Sequence, residues 1–484
     1  MNGSTTIAAA ENPVEQALAR AQAAAQARRF GEATGICDDL LATRPDLPPA
    51  LALSGMVAAH SGDVERAIQL LERAVTHQSG VAAWYGNLCT LYRMVHRLQD
   101  ALNAGTRAIR LAPNSADYLV NLSLVFTDLD ERDRAGACLL RAIGVNAEHA
   151  DAHLALAQNL LAQGEFAPGW LEYEWRNLTE AGRGQLPKIT SAPWNGMRIP
   201  SGRILLIGDQ GYGDTIQFCR YIPLVAERCQ EVILGCSIEM LSLLKRMPGV
   251  AHAHHRWNEI PGHAAYSRLS SLPGLFHTAH DTIPTAIAYL TPDPVRVAKW
   301  AERLSGQILQ GAKRVGLAWS GRSTHPNDRR RSLRLSDLAS IGAVEGHTFV
   351  SLQKPFPSAD ADAAHQFPGM VDMSSALADF DETAAIIANL DLIITVDTSI
   401  GHLSGAIGRP VWILLSKASD WRWLVDREDT PWYPSARLFR QQHPGAWAPV
   451  IANVVAALSE ANKSENSYYA TDPPTRVPPP TCRT

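Results

Sequence analysis

Asp397, Thr398 and Ser399 stand directly after an unbroken apolar run, Leu392–Val396, with Gly401 and His402 close behind. Side-chain oxygens at such a place suit the start of a helix. The first amides of a helix gather anions, phosphates above all. The residues that follow are helical in pattern as far as Ile407; Gly408 is a natural stop and Pro410 prevents continuation. The apolar run does not alternate, which marks a strand covered on both faces, and a second such run, Val411–Leu415, comes next. Open α/β sheets bind ligands at the carboxyl ends of their strands, so this strand–helix–strand unit is a candidate site for a nucleotide diphosphate.

A second set of candidates lies in 204–218, ILLIGDQGYGDTIQF. Here Gln210, Gly211 and Gly213 form a loop that allows close backbone approach, and Asp214 sits at the mouth of a helix. Asp214 is either an N-cap with no further role or a carboxylate at a cleft edge that accepts a proton from an attacking hydroxyl. GxGxxG is absent, so this is not a dinucleotide fingerprint. His402 either lends an anion a hydrogen bond or a positive charge, or is a helix-face histidine satisfied by a carbonyl. The segment 320–334 is unusually basic, with Arg322, Arg329, Arg330, Arg331 and Arg334 after Ser320 and Gly321. Arg331 and Ser332 are the preferred phosphate contacts there, since a guanidinium suits bidentate binding. Gln353, at the end of the run 348–352, is either a nucleoside contact or an exposed loop residue. Asp381–Thr383 reads as a helix cap. Asp360/Asp362 and Asp379/Asp381 match the DxD pattern of metal-dependent transferases, but neither directly ends an apolar strand. His252, His254 and His255 have no Cys or carboxylate at ligand spacing and read as a solvated loop. No metal and no cofactor is expected.

The elements around these residues fall into three parts. Ala33, Ala67, Ala101 and Ala135 recur every 34 residues, and Ala74, Ala108 and Ala142 keep the same step with Leu40 at the earlier place. Small residues at helix crossings with this period resemble the tetratricopeptide repeat over 14–165, with a degenerate fifth unit carrying Gly169 at the alanine position. Such arrays stack into a superhelix whose concave face binds a protein or peptide; the plainer alternative is a scaffold that only solubilises or dimerises the chain. WLEYEWR (170–176) closes the array. Apolar strands then alternate with amphipathic helices, at 204–207, 232–234, 315–319, 348–352, 392–396 and 411–415, the pattern of parallel α/β sheets. The expected division is a disordered 1–13, repeats over 14–181, a linker at 182–202, Rossmann-like halves at 203–300 and 301–460, and a disordered tail at 461–484. A formal charge of −4 argues against a nucleic-acid partner. Seven scattered cysteines without CxxC suit reduced thiols in the cytoplasm. No signal peptide is visible and no apolar run approaches the length needed to span a bilayer, so any meeting with a membrane is expected to be peripheral.

GYGDTIQF, GLAWSGRSTHPNDRRRSL, TVDTSIGHLSGAIGRPVWILL and WRWLVDREDTPWYPSARLFRQ, in this order behind the repeats, resemble bacterial repeat-containing glycosyltransferases of the heptosyltransferase-like group. The resemblance covers about 14–458. It implies a GT-B fold and metal-independent, inverting transfer from a nucleotide-diphosphate sugar to a hydroxyl. Asp214 matches the acidic residue that the group uses as general base. Asp397, Thr398, Ser399 and His402 match its motif around the donor diphosphate. Arg322 departs from it, since the group often carries Asn there. Two alternatives stand beside this expectation: an interaction scaffold whose transferase domain is degenerate, and transfer to lipopolysaccharide or another glycan instead of a protein.

Overall fold

The computed structural model describes residues 12–461 except 185, 187–188, 210, 285–286, 309–310 and 326. The expected 1–13 and 461–484 segments therefore lie almost wholly outside the described residues, as does Gln210. The chain divides into two compact units, 1–156 and 157–484.

The first unit is built of helical pairs: α1 (Pro13–Gln26) and α2 (Phe30–Thr43), α3 (Pro48–His60) and α4 (Val64–His77), α5 (Ala82–Met94) and α6 (Leu98–Leu111), α7 (Ala116–Asp128) and α8 (Arg132–Val145), then the start of α9 (Ala150–Ala162). Alanine recurs because partner helices cross too closely there for anything larger. Ala33, Ala67, Ala101, Ala135, Ala74, Ala108 and Ala142 are all fully buried. At Gly55 even a β-carbon would stand 3.1 Å from the Ala67 carbonyl oxygen and from Leu71 Cγ. A part-buried ion pair, Arg93 to Asp128 at 2.7 Å, links α5 to α7 one repeat on.

The division between units cuts α9, upstream of the expected edge at 181. The helix α10 (Phe166–Tyr173) belongs with the α/β unit because Trp170 is anchored in it. Its indole N–H donates to the Thr278 carbonyl at 2.9 Å, and its ring meets Trp421 and Trp432 edge-on at 5.4 and 6.4 Å. Gly169 keeps the small-residue role of the array, since a β-carbon there would lie 2.7 Å from Leu161 Cδ2.

The second unit holds two wholly parallel sheets. The first comprises β1 (Ala192–Pro193), β2 (Ile199–Ile207), β3 (Cys229–Gly235), β4 (Val250–His254) and β5 (Ala265–Arg268) in the order β1-β5-β2-β3-β4. The second comprises β6 (Lys313–Ala318), β7 (His347–Ser351), β8 (Val371–Asp372), β9 (Leu392–Val396), β10 (Val411–Leu415) and β11 (Ala436–Arg440), ordered β11-β10-β9-β6-β7-β8. This is a repeat array followed by a GT-B-like pair of Rossmann-like halves. Every expected strand is present. The strands that the apolar pattern did not reveal are edges or edge neighbours: β4, which carries His252 and His254 and so replaces the expected loop, and β1, β5, β8 and β11. Two expected borders fall inside elements of the fold. The linker 182–202 already contains β1 and the start of β2. Helix Pro294–Ser305 straddles 300 and packs on helix Phe380–Ile387, where the Trp300 indole donates to Glu382 at 2.6 Å. Among the described residues, no helix is long and apolar enough to cross a membrane.

Trp170→Ala removes a large side chain from this aromatic cluster and leaves a cavity. It should cost about 3–5 kcal/mol of stability in the α/β unit, read by urea denaturation followed through tryptophan fluorescence.

Candidate active site

Gly211, not Asp214, is the N-cap of helix Tyr212–Phe218, and Asp214 stands third in that helix. Its carboxylate is free of capping duty and lies against another chain segment. Asp214 Oδ1 accepts from Arg422 Nη2, while any β-carbon at Gly211 would collide with Oδ2. Gly211 is thus needed for room, as the loop pattern suggested. A second carboxylate, Asp209, follows β2 and accepts from the Ser270 amide at 3.0 Å and its hydroxyl at 2.6 Å. Burial and the nearby Asp214 charge push Asp209 up to about 6.

The second sheet presents the other wall. Thr398 is the N-cap of helix Ser399–Ala406 without a side-chain capping bond; its hydroxyl pairs with that of Thr395 at 3.1 Å. Gly401 lies 3.3 Å, measured from a notional β-carbon, from Ile413 and Thr395, so it seats the helix on the sheet. Its amide already donates to the Thr398 carbonyl at 3.0 Å. The Ser399 and Ile400 amides stand ahead of the first intrahelical bond, the position from which helix starts donate to ligands. Gly408, at φ 72°, ends the helix as its type predicts. Burial and the Asp420 charge raise Asp397 to about 6, against the pull of Arg331. His402 is buried, stacks on Trp423 at 5.1 Å, and shares its Nδ1 with the Tyr433 hydroxyl at 2.8 Å. Burial and the cation Arg422 press it down to about 3. His402 is therefore neutral at physiological pH, which corrects the expectation of a positive charge, and its partner is a hydroxyl and not a carbonyl.

These two walls touch. A β-carbon at Gly213 would stand 2.8 Å from His402 Cδ2, so the turn that bears Asp214 rests on the helix that begins at Ser399. The residue that joins them was not singled out from the sequence. Arg422, in the short turn Trp421–Trp423, is buried and stacks over Trp421 at 4.3 Å. Its Nε donates to Gln217 Oε1 at 2.6 Å and its Nη1 to Asp420 Oδ1 at 2.7 Å, and Nη2 takes Asp214. Against its burial, the Asp420 and Asp214 carboxylates hold it firmly charged. The signal was the Asp420-Trp421-Arg422 triplet within the Trp-rich segment.

The basic segment splits. Arg331 Nη1 donates to the Asp397 carbonyl at 2.7 Å, and its Nε is buried with no hydrogen-bond partner, 3.7 Å from Asp328. Gly321 makes room for that guanidinium, since a β-carbon would lie 2.6 Å from Nη2. Arg322, Arg329 and Arg334 are exposed. Ser332 is engaged within the loop, accepting from the Gly321 amide at 2.9 Å and donating to Asp328 at 2.7 Å. Gln353 is neither an exposed loop residue nor free for a nucleoside. It is buried, accepts from the Trp319 and Ser320 amides at 3.2 and 3.0 Å, and donates to the Ser320 carbonyl at 3.1 Å. Gln353 and Ser332 brace Ser320 and Gly321 at the end of β6.

Of the DxD aspartates, Asp360, Asp379 and Asp381 are structural, and Asp362 is exposed. Asp360 accepts from the Trp319 indole at 2.8 Å and the Leu335 amide at 3.1 Å. Asp379, not 381–383, caps helix Phe380–Ile387, and Asp381 accepts from Arg246 at 2.8 and 2.5 Å.

Residues 375–446 match the family described as glycosyltransferase family 9 (heptosyltransferase), a stretch that holds Asp397, His402, Asp420 and Arg422. The chain is 28% identical to Protein FlbA of Caulobacter vibrioides over 428 residues, which cover 81% of this chain and 70% of FlbA. Among solved structures, it is similar to MamA (20% identity, 34% of this chain, 97% of that chain, TM-score 0.31). It is also similar to a thermophilic tetratricopeptide-repeat protein of Thermus thermophilus (22% identity, 35% and 92% covered, TM-score 0.31). The chain thus combines a helical repeat array with an α/β unit that resembles a glycosyltransferase, the family match being confined to residues 375–446.

The raised Asp397 makes a stability prediction. A carboxyl with pKa about 6 in the fold and about 3.9 when unfolded costs stability once pH exceeds the unfolded value, and the full cost is present above about 6. Asp397→Asn should therefore raise the melting temperature at pH 7. The gain should shrink as pH falls through 6 and vanish near 4, as followed by calorimetry.

Proposed function

We propose that the α/β unit moves a sugar, with inversion and without a metal, from a nucleotide-diphosphate sugar to a hydroxyl acceptor. The observation that supports this reading is the contact of Gly213 with His402, which brings the turn bearing Asp214 against the helix beginning at Ser399. Asp214 Oδ2 takes the acceptor's hydroxyl proton as that oxygen bonds to the anomeric carbon. The bond from that carbon to the diphosphate breaks, and its electron pair leaves with the phosphate oxygen. The Ser399 and Ile400 amides and the Arg331 guanidinium, with its unpartnered Nε, stabilise the departing charge. Asp397 braces Arg331 through its carbonyl, and the neutral His402 holds the helix against Trp423 and Tyr433.

The acceptor in this reading is a protein or peptide bound by the repeat array. Removing residues 1–156 should then abolish transfer to protein while sparing slow hydrolysis of the donor. Transfer to a glycan that survives this deletion would point to the glycan acceptor instead.

Release of nucleoside diphosphate from a panel of UDP-, GDP- and ADP-sugars tests the reaction. Asp214→Asn should lower acceptor-dependent release by about 100-fold or more and leave nucleotide affinity within about threefold. Full activity in that variant would refute the base assignment. Arg331→Ala should weaken binding of the cognate free nucleoside diphosphate by about 1.5–3 kcal/mol in calorimetry, the range for a charge-assisted hydrogen bond.

A further inference from the structure

We propose that Arg422 is the positioning residue that orients Asp214 for proton transfer, and that Gln217 and Asp420 fix Arg422 for that task. The proposal rests on the reading of Asp214 as proton acceptor.

A carboxylate on the first turn of a short helix can rotate about two side-chain bonds, and only one of its orientations faces the acceptor. Arg422 removes that freedom. Its Nη2 holds Asp214 Oδ1, and its Nε holds Gln217 Oε1, three residues further along the same helix face. One planar guanidinium thus grips two points of helix Tyr212–Phe218 at once, a geometry that a lysine ammonium cannot copy. The other edge of the guanidinium is tied to Asp420 Oδ1 at 2.7 Å, and its face lies on Trp421. The Arg422 amide also donates to Asp420 Oδ1 at 3.0 Å, so backbone and side chain of the turn are set by one carboxylate. Held on three sides and buried, Arg422 is not free to follow a ligand, which separates it from Arg331 with its unpartnered Nε.

The consequence is a division of labour between the two oxygens of Asp214. Oδ1 is held by Arg422, and Oδ2 projects over Gly211, where the missing side chain leaves it room. Oδ2 is then the oxygen that accepts the proton. The arrangement parallels the way a third group orients a catalytic base in hydrolytic triads, with an arginine and a carboxylate as the participants.

The test uses the full-length protein and measures nucleoside diphosphate release together with calorimetric affinity for UDP, GDP and ADP. Arg422→Ala should lower kcat by tenfold or more and leave nucleotide affinity within threefold. Millimolar guanidinium chloride, too dilute to unfold the protein, should restore part of kcat. Arg422→Lys should stay well below the wild type despite keeping the charge. Gln217→Leu, which keeps Arg422 but releases its Nε, should show a smaller loss in kcat with the same unchanged affinity and covers the case in which the alanine variant fails to fold. In the pair Asp214→Asn with Arg422→Ala, the second change should add nothing. A wild-type kcat in Arg422→Ala, or a loss confined to nucleotide affinity, overturns the positioning role while leaving Asp214 as base. Full activity in Asp214→Asn overturns the underlying reading and this proposal with it.

Discussion

A guanidinium taken out of water must be matched by carboxylates or other hydrogen-bond acceptors, or the fold is heavily destabilised. Arg422 sits under that constraint, and the neighbourhood of the candidate site is organised to satisfy it. Asp420 and Asp214 supply the charge, Gln217 the remaining acceptor, and Trp421 the apolar face. Because Asp214 and Gln217 belong to the first α/β half and Asp420 to the second, neutralising this one cation fixes the two halves against each other. The penalty for breaking any partner is what makes the geometry specific, since a lost carboxylate would leave a buried unpaired charge.

The same device recurs beside it. Arg220, also buried, donates to the Trp432 carbonyl at 2.9 Å and the Gln217 carbonyl at 2.8 Å, and lies over the rings of Tyr289, Tyr433 and Trp432. Further along the interface, Arg246 grips the fully buried Asp381. Arg422, Arg220 and Arg246 therefore each reach from one half to the other. Aromatic rings provide the apolar cover of Arg422 and Arg220 and, through Trp170 meeting Trp421 and Trp432, the anchor of α10. The Trp- and Pro-rich segment after β10 is where the cations, the carboxylates and the closing helix of the α/β unit converge.

Local pattern made much of this visible and long-range pairing hid the rest. The 34-residue alanine register, the unbroken runs of β9 and β10, and the Gly408 stop depend only on neighbouring residues and could be read directly. Edge strands such as β4, VAHAH, bury little and carry no apolar signature. Arg422 and Asp214 are 208 residues apart, and nothing local in either segment announces the other. Gln353 shows the limit most clearly: a glutamine after a strand is as good a ligand as a brace until the Ser320 backbone is seen to occupy its amide. Asp214 resembles a cap in sequence for a related reason. The helix starts ahead of its first charged residue, at a glycine whose role is to clear space.

The charges at the end of β9 also bear on how an anion is received there. His402, pressed down to about 3, contributes no cation, so in the proposed reaction the departing diphosphate would depend on Arg331 and on the helix amides. Asp397 lies within the same field, and its rise to about 6 reflects burial and Asp420 more than Arg331 can offset. Were Asp397 aimed at the phosphates, its charge would oppose them. Arg331 instead takes the backbone carbonyl of that residue, leaving Nε unpaired on the buried side of the guanidinium. The arrangement fixes the cation by a neutral acceptor, with the Asp328 carboxylate 3.7 Å from its Nε too far for a hydrogen bond. Asp214, by contrast, is held by a full ion pair at one oxygen only. A cation fixed in position on one side, and a carboxylate oriented with one oxygen left over on the other, are the two electrostatic conditions that the proposed inverting displacement would place on the cleft.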